Sequence, residues 1–440
     1  MPHSLVLEPS IPPAVKHTEV VIIGGGIVGI TLACALAQAG VPVVVIESQP
    51  RERTLGRDRA YALSLSSAKI LQQLDVWDSL KPYLETFEQI RLSDADSNHI
   101  VWFRPEDLSG THELGYIAEH RLLLAALYDR LTELPLAEVW SPAKALRTLY
   151  RSEHALVEVG QIGNNIGSAN SSQWLQSQLV IAADGPHSPT RKDAAISTLG
   201  WAYWQSCLTC VVTATDSHQH IAQERFWPQG PLAVLPLTGN RAQIIWTAPH
   251  SEAQALAQLP EPLFLERLQQ QIGRSLGTIS LTNQRQVFPV RLMQSRTYAK
   301  PRLALVGDAA HNCHPVGGQG LNLGIRDAAA LAHVLVEAHL HQEDLGTLGV
   351  LRRYDRWQRP QNWFILGVTD SLNRLFSNRL WPLVWIRWLA IEALRRIGPL
   401  RRLVLSTMTG QHDRQPKRLS TLSPVDHQHP LATPCGGVTK

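Results

Sequence analysis

Three separated groups of residues in this 440-residue chain have types and spacings suited to chemistry. The first is Gly24-x-Gly26-x-x-Gly29. Glycines at these positions permit a tight turn, close approach of backbone to a pyrophosphate, and close packing of a helix on a strand. Free N–H groups and the positive end of the helix dipole then stabilise phosphate charge. Glu47 follows Gly29 by 18 residues, where a carboxylate accepts hydrogen bonds from a ribose and disfavours a 2′-phosphate. A purely structural glycine turn competes with this reading, but the flanking strand, helix and acid favour a dinucleotide.

The second group is Val180-Ile-Ala-Ala-Asp184-Gly185, followed by Ser188 and Arg191. A buried strand here delivers an Asp-Gly turn to a domain surface, and an ordinary strand-ending turn fits equally well. The third group is the most specific: Leu305-Val-Gly307-Asp308-Ala-Ala-His311, then His314-Pro315-x-Gly-Gly318-Gln319-Gly320-Leu321-Asn322-Leu-Gly. Asp308 ends a strand, where its carboxylate can hold sugar-chain hydroxyls. The GGQGLN turn opens a helix whose N-terminus suits the N1/O2 charge of a reduced flavin. Pro315 stiffens the approach, and Gly318 and Gly320 let the backbone close on a flat ring. His311 and His314 flank Cys313, but no acid or third histidine at helical spacing completes a metal set, so no metal is expected. The two histidines stay as weak candidates for acid–base work.

The elements that must position these residues follow from pattern. Glu19 to Ile23 is a short apolar run, ITLACALAQAG is helical, and VPVVVIE is a second buried strand, together a βαβ unit of about 30 residues. YIAEHRLLLAALYDRL has helical spacing, LVIAADG and PRLALVGDAAH read as buried strands, and GLNLGIRDAAALAHVLVEA as a helix. Between 200 and 290 the strand-like runs CLTCVVTAT, PLAVLPL and AQIIWTA predict an antiparallel sheet, with one helical segment near 252–275. The fold expected is α/β: a discontinuous, doubly wound, Rossmann-like dinucleotide-binding domain (18–86, 116–195 and 286–350), an antiparallel-sheet substrate domain (87–115 and 196–285), and C-terminal helices (351–410). The polar residues 411–440 are expected to be a disordered tail, residues 163–173 a hairpin tip, and MPHSLVLEPSIPPAVKH a loose arm.

Composition narrows the function classes. A net charge of +4 with no run of Lys/Arg and interleaved aromatics excludes a nucleic-acid binder. The five cysteines are few and scattered, which fits a reducing cytoplasm rather than a disulfide framework. Cys207 and Cys210 form a CxxC within a strand-like run, where residues three apart face opposite ways, so inert packing is expected. Trp201 and Trp204 are expected to pack in a core or interface.

The three groups in this order resemble the class A FAD-dependent aromatic monooxygenases, and most closely the ubiquinone-biosynthesis hydroxylase family. Further matching segments are Arg59-Ala-Tyr-Ala-Leu, Gly115-Tyr-Ile-Ala-Glu-His-Arg121, Gly230-Pro-Leu-Ala-x-Leu-Pro236 and Thr369-Asp-x-Leu-Asn373. The resemblance implies FAD in the dinucleotide site, with Gly24, Gly26, Gly29, Glu47, Asp184, Gly185, Asp308, Pro315, Gly318, Gln319, Gly320, Leu321 and Asn322 around it. It implies Arg59 and Arg121 near the FAD phosphates, and Asp184 beside a path for NADH or NADPH. It also implies O2 as co-substrate, a flavin C4a-hydroperoxide as oxygen donor, and a polyprenylated phenol of ubiquinone or plastoquinone synthesis as acceptor.

The C-terminal stretch carries Trp381, Trp385 and Trp388 near helical spacing, with Arg374, Arg379, Arg387, Arg395, Arg396, Arg401 and Arg402. Arginine with tryptophan on an amphipathic helix favours an anionic membrane interface over a helix packed on its own domain. A cytoplasmic enzyme peripheral on the inner face of a membrane is therefore expected, alone, as an oligomer or within a quinone-biosynthesis complex. Three other readings share motifs with this one: a hydroxylase of small soluble aromatics, a flavin-dependent prenyl-lipid reductase, and a non-enzymatic prenyl-binding escort.

Overall fold

The computed structural model describes residues 15–95, 99–108, 111–161 and 172–411. Val20–Ile23 and Val43–Ile46 are buried along their whole length and pair in parallel, with the helix Ile27–Gln38 crossing between them. Leu179–Ala182 and then Leu303–Leu305 extend the sheet on one side, and Ala137–Trp140 on the other, all in parallel. Ala299–Lys300 adds an antiparallel edge, making six strands. A parallel sheet covered by helices has no polar face, so its strands must be apolar throughout. From the central Val20–Ile23 strand the chain proceeds in both directions across the sheet. At such a switch point a crevice opens beyond the carboxyl ends of the strands.

The second large sheet is built on Thr198–Ala214, a 17-residue strand paired with Arg241–Pro249 on one side and Gln286–Ser295 on the other. Gly230–Leu237, Ile221–Trp227, Gln89–Asp94 and Ile100–Phe103 continue it, antiparallel except where Ile221–Trp227 meets Gln89–Asp94. Sequence pattern assigned residues from 286 onward to the dinucleotide-binding domain. The strand Gln286–Ser295 belongs instead to this sheet, because its ladder partner is Thr198–Ala214.

Other departures have local causes. The single helix expected near 252–275 is two, His250–Gln258 and Glu261–Ile272, interrupted at Leu259 and Pro260. The last residues of the expected loose arm, Val15–His17, form a strand against Ser172–Ser177. Of the expected hairpin tip, Ser172 and Gln173 belong to the strand Ser172–Ser177 and the rest lies outside the described residues, as do residues 412–440 of the polar tail. Cys207 and Cys210 are both buried, unbridged thiols in Thr198–Ala214. Trp201 and Trp204 are not core residues: they are 44% and 53% exposed, and Arg374 stacks over Trp201, 4.7 Å from its ring centroid.

The C-terminal region forms three helices, Leu348–Phe376, Trp381–Arg396 and Gly398–Met408. Among the described residues no helix is long and apolar enough to cross a membrane.

Candidate active site

The crevice at the switch point is a cavity of about 820 Å³ walled by the parallel sheet, the flavin-type turn and the large sheet. Gly24, Gly26, Gly29, Glu47, Arg59, Asp184, Gly185, Asp308, Pro315, Gly318, Gly320 and Leu321 all border it. Three motifs far apart in sequence thus converge on one space.

The glycine turn is enforced by contact. A Cβ on Gly29 would lie 2.0 Å from the Gly24 carbonyl oxygen, and one on Gly24, whose φ is +117°, would lie 2.3 Å from that of Ala183. At Gly26 a Cβ meets nothing within 4 Å, so the backbone is open toward the cavity. The helix Ile27–Gln38 starts there with no side-chain cap, leaving its first N–H groups available to a phosphate. Glu47 braces the turn: its Oε2 accepts from Gly25 N at 2.7 Å and its Oε1 from Gln49 N at 2.7 Å.

Asp184 accepts from Thr190 N at 3.1 Å through Oδ2, while Oδ1 has no partner among the described residues. Asp308 is open to the cavity but enclosed by protein on its other sides. That enclosure pushes its carboxyl above the usual range, opposed by His311, Arg291, Asn312 and Arg59. The helix Gln319–Leu340 begins at Gly318, in the left-handed region at φ +61°, again with no side-chain cap. An open glycine cradle, two uncapped helix starts and two carboxylates with spare acceptor capacity fit the pyrophosphate, sugar chain and flavin ring of FAD.

Five predicted residues do not border the cavity. Arg121 is exposed at the start of the helix His120–Thr132. Its neighbour His120 faces inward, with Nε2 2.9 Å from the Thr54 carbonyl and Nδ1 3.2 Å from Tyr61 Oη. Asn322 is wholly engaged by protein. It accepts from Ser64 N at 2.9 Å and Ser67 Oγ at 2.7 Å, and donates to the carbonyls of Ala62 at 2.8 Å and Gly318 at 2.9 Å. Gln319 donates to the carbonyls of Gly317 and Met408, tying the turn to the last helix. His311 is buried against Asp327, and His314 is buried beside Tyr203 with its ring centroid 5.2 Å away. Neither histidine borders the cavity: His311 is held by Asp327, and His314 packs on Tyr203.

Residues that motif reading missed complete the walls. Arg57, Tyr61 and His120 add polar groups to the wall, and Thr209, Leu235, Ile245 and Phe288 present the large sheet. The guanidinium of Arg59 lies 4.6 Å from the Phe288 ring centroid, joining the two sides. Tyr61 stands two residues after Arg59 in a segment already notable, and an alternating strand points both inward. Nothing local marks Phe288 or Ile245.

Comparison with known proteins agrees with this geometry. The FAD binding domain family matches residues 17–344. The chain is 38% identical over 400 residues to the ubiquinone hydroxylase UbiL of Rhodospirillum rubrum, covering 90% of each chain. It is 33% identical over 406 residues to the 3-demethoxyubiquinol 3-hydroxylase of Escherichia coli K12, covering 90% of this chain and 99% of that one. Among solved structures, p-nitrophenol 4-monooxygenase PnpA of Pseudomonas putida superposes with a TM-score of 0.76 over 91% of this chain and 100% of its own, at 19% identity. The chain belongs to the class A FAD-dependent aromatic monooxygenases and is related to the ubiquinone-biosynthesis hydroxylases.

Proposed function

We propose that the protein hydroxylates the aromatic ring of a polyprenylated phenol in the synthesis of ubiquinone or plastoquinone. Two relatives that cover nine-tenths of the chain bear the names of ubiquinone-pathway hydroxylases, and this observation carries the reading. The sheet wall of the cavity supports it: Leu235, Ile245 and Phe288 offer an apolar surface to a lipid-like ring.

FAD, when bound and reduced by NADH or NADPH, would supply the O2-activating chemistry of the hydroxylation. The protein's own part is binding, orientation and exclusion of water. Gly26 and the start of Ile27–Gln38 would hold the pyrophosphate, Glu47 the ribose and Asp308 the sugar chain. The uncapped helix start at Gly318 would stabilise negative charge on a flavin ring bound beside it. Arg59 acts near the phosphates. No side chain has to serve as a nucleophile.

The C-terminal helices support a membrane-facing enzyme. Leu380, Trp381, Trp385, Ile386 and Leu389 form an exposed apolar face, with Trp381 at 74%. An interfacial helix buries such a face among lipid head groups, which suits a substrate dissolved in the bilayer. The protein then works from the cytoplasmic side as a peripheral enzyme.

The test is mass spectrometry of the quinone pool in cells depleted of the protein. Loss of mature quinone with accumulation of a prenylated precursor one oxygen short supports the assignment and identifies the ring position. An unchanged pool sinks it, leaving a hydroxylase of soluble aromatics or a prenyl-lipid reductase; only the former consumes O2.

A further inference from the structure

The large sheet turns one face toward the flavin site, and its side chains there are almost all apolar or neutral. Reading the register across the strands, Glu224 lies beside Ala233, Ala233 beside Ile245, and Ile245 beside Thr209. Directly paired residues project from the same face of a sheet. Glu224 therefore shares a row with Ile245 and Thr209, which line the cavity, and stands two strands beyond Ile245, outside that lining. The strand places Ala222 and Phe226 on that face as well. Phe226 stacks on Phe376 at 4.0 Å, closing the side next to the C-terminal helices.

Glu224 and Asp94 are the carboxylates on this face among the described residues. Asp94 is committed to a buried ion pair, 3.0 Å from Nε of Arg387. Glu224 has no ion pair among the described residues. The backbone N–H of Gly317, within the glycine turn that opens the helix Gln319–Leu340, faces its carboxyl and favours the ionised form. Of the ionisable groups on the surrounding elements, the buried thiol of Cys207 feels the Glu224 charge, and Arg59 acts on the same thiol. Enclosure by the sheet and the turn pushes the Glu224 carboxyl up to about 8, against the lowering effect of the Gly317 N–H. A proton-transfer group works best when it ionises near the operating pH.

We propose that Glu224 is the proton acceptor for the ring hydroxyl of the aromatic substrate, an inference that rests on the aromatic-hydroxylase reading above. The phenol O–H bond breaks and its electron pair stays on the phenol oxygen. The proton forms a new O–H bond on the Glu224 carboxylate and later leaves to solvent. The phenolate ring is more electron-rich, and electrophilic oxygen transfer requires such a ring. Glu224 also sets where the hydroxyl sits, so the ring carbon presented to the flavin is chosen by its distance from this row.

The test uses yellow holoenzyme and 4-hexylphenol, a soluble phenol with an apolar tail, with binding read as the change in flavin absorbance between pH 6 and 9. This range lies below ionisation of the phenol itself, about 10 for a tyrosine-like hydroxyl. A hydrogen bond to a charged carboxylate exceeds one to a neutral acid, so wild-type affinity is expected to rise about tenfold through pH 8. The variant Glu224→Gln should bind with a flat pH profile, and Glu224→Asp should restore the rise at a displaced midpoint. Equal pH dependence in wild type and Glu224→Gln, with FAD retained, overturns the proton-acceptor role while leaving the hydroxylase reading intact. If Glu224→Gln loses FAD, Glu224→Asp decides: a displaced midpoint supports the role and an unchanged one overturns it. A wild-type holoenzyme that responds to no concentration of the phenol sinks both readings.

Discussion

Asp327 Oδ2 accepts a hydrogen bond from His311 Nε2 at 2.6 Å and another from the backbone N–H of Gly307 at 2.9 Å, in a site from which solvent is excluded. Its Oδ1 accepts from Asn362 Nδ2 at 2.8 Å. One carboxylate on the helix Gln319–Leu340 thereby fixes the turn that carries Asp308, the strand end at His311, and the helix Leu348–Phe376. Removing one member of a buried charged cluster typically costs about 3–5 kcal/mol, because it strands the others unpaired. Asp327→Ala is therefore expected to lower thermal stability sharply and to reduce FAD content, with Asp327→Asn intermediate. Flavin absorbance per protein and a melting curve check this, and full FAD loading in Asp327→Ala would remove the positioning role.

Gly26 and Gly29 make opposite demands. A Cβ at Gly29 collides with the Gly24 backbone at 2.0 Å, whereas one at Gly26 meets open space at the cavity edge. Gly29→Ala should therefore destabilise the fold itself. Gly26→Ala should fold normally but bind FAD weakly, since its methyl group intrudes where the pyrophosphate must approach. Melting temperature and FAD titration separate the two outcomes.

His314 has its ordinary ionisation pushed down to about 3 by burial. A histidine depressed in the folded state takes up its proton in the unfolded state first. Between about pH 6.5 and 3 the unfolded chain then holds the extra proton, and stability falls as pH falls through that window. At full effect the slope is about 1.4 kcal/mol per pH unit. His314→Phe should flatten the acid limb of stability against pH without a change above pH 7. An identical acid limb in the variant would show that other groups govern acid unfolding.

The arginines of the C-terminal helices are less available to a membrane than their spacing suggests. Arg387 is fully buried against Asp94, Arg395 and Arg396 pair with Glu392, Arg401 with Asp107, and Arg374 with Asp370. Vesicle binding should therefore depend on the exposed apolar side chains more than on net charge. Trp381→Ser with Trp385→Ser is expected to weaken sedimentation with anionic vesicles about tenfold, and Arg396→Ala to change it little. Loss of binding in Arg396→Ala with the tryptophan variant unaffected would reverse this order.

Much of the fold and cofactor site was legible in the sequence because its determinants are local. A turn that only glycine can make, four buried β-branched residues on either side of a helix, and an acid at a strand end are properties of short segments. Gly24, Gly26, Gly29, Glu47, Asp184 and Asp308 follow from those properties, and all border the cavity. Other assignments depended on partners distant in sequence, and these only the tertiary structure decided. The motif alone leaves His311 open to a catalytic reading, which its bond to the buried Asp327, itself held by Asn362, removes, and Asn322 is consumed by Ser64 and Ser67, more than 250 residues away. Arg121 and His120 are neighbours, and helix orientation alone turned one outward and the other toward the cavity. Ile245, Phe288 and Glu224 read as ordinary strand residues. Register within the large sheet gives them one face against the flavin turn, and register is set by pairing across the whole sheet rather than by any one strand.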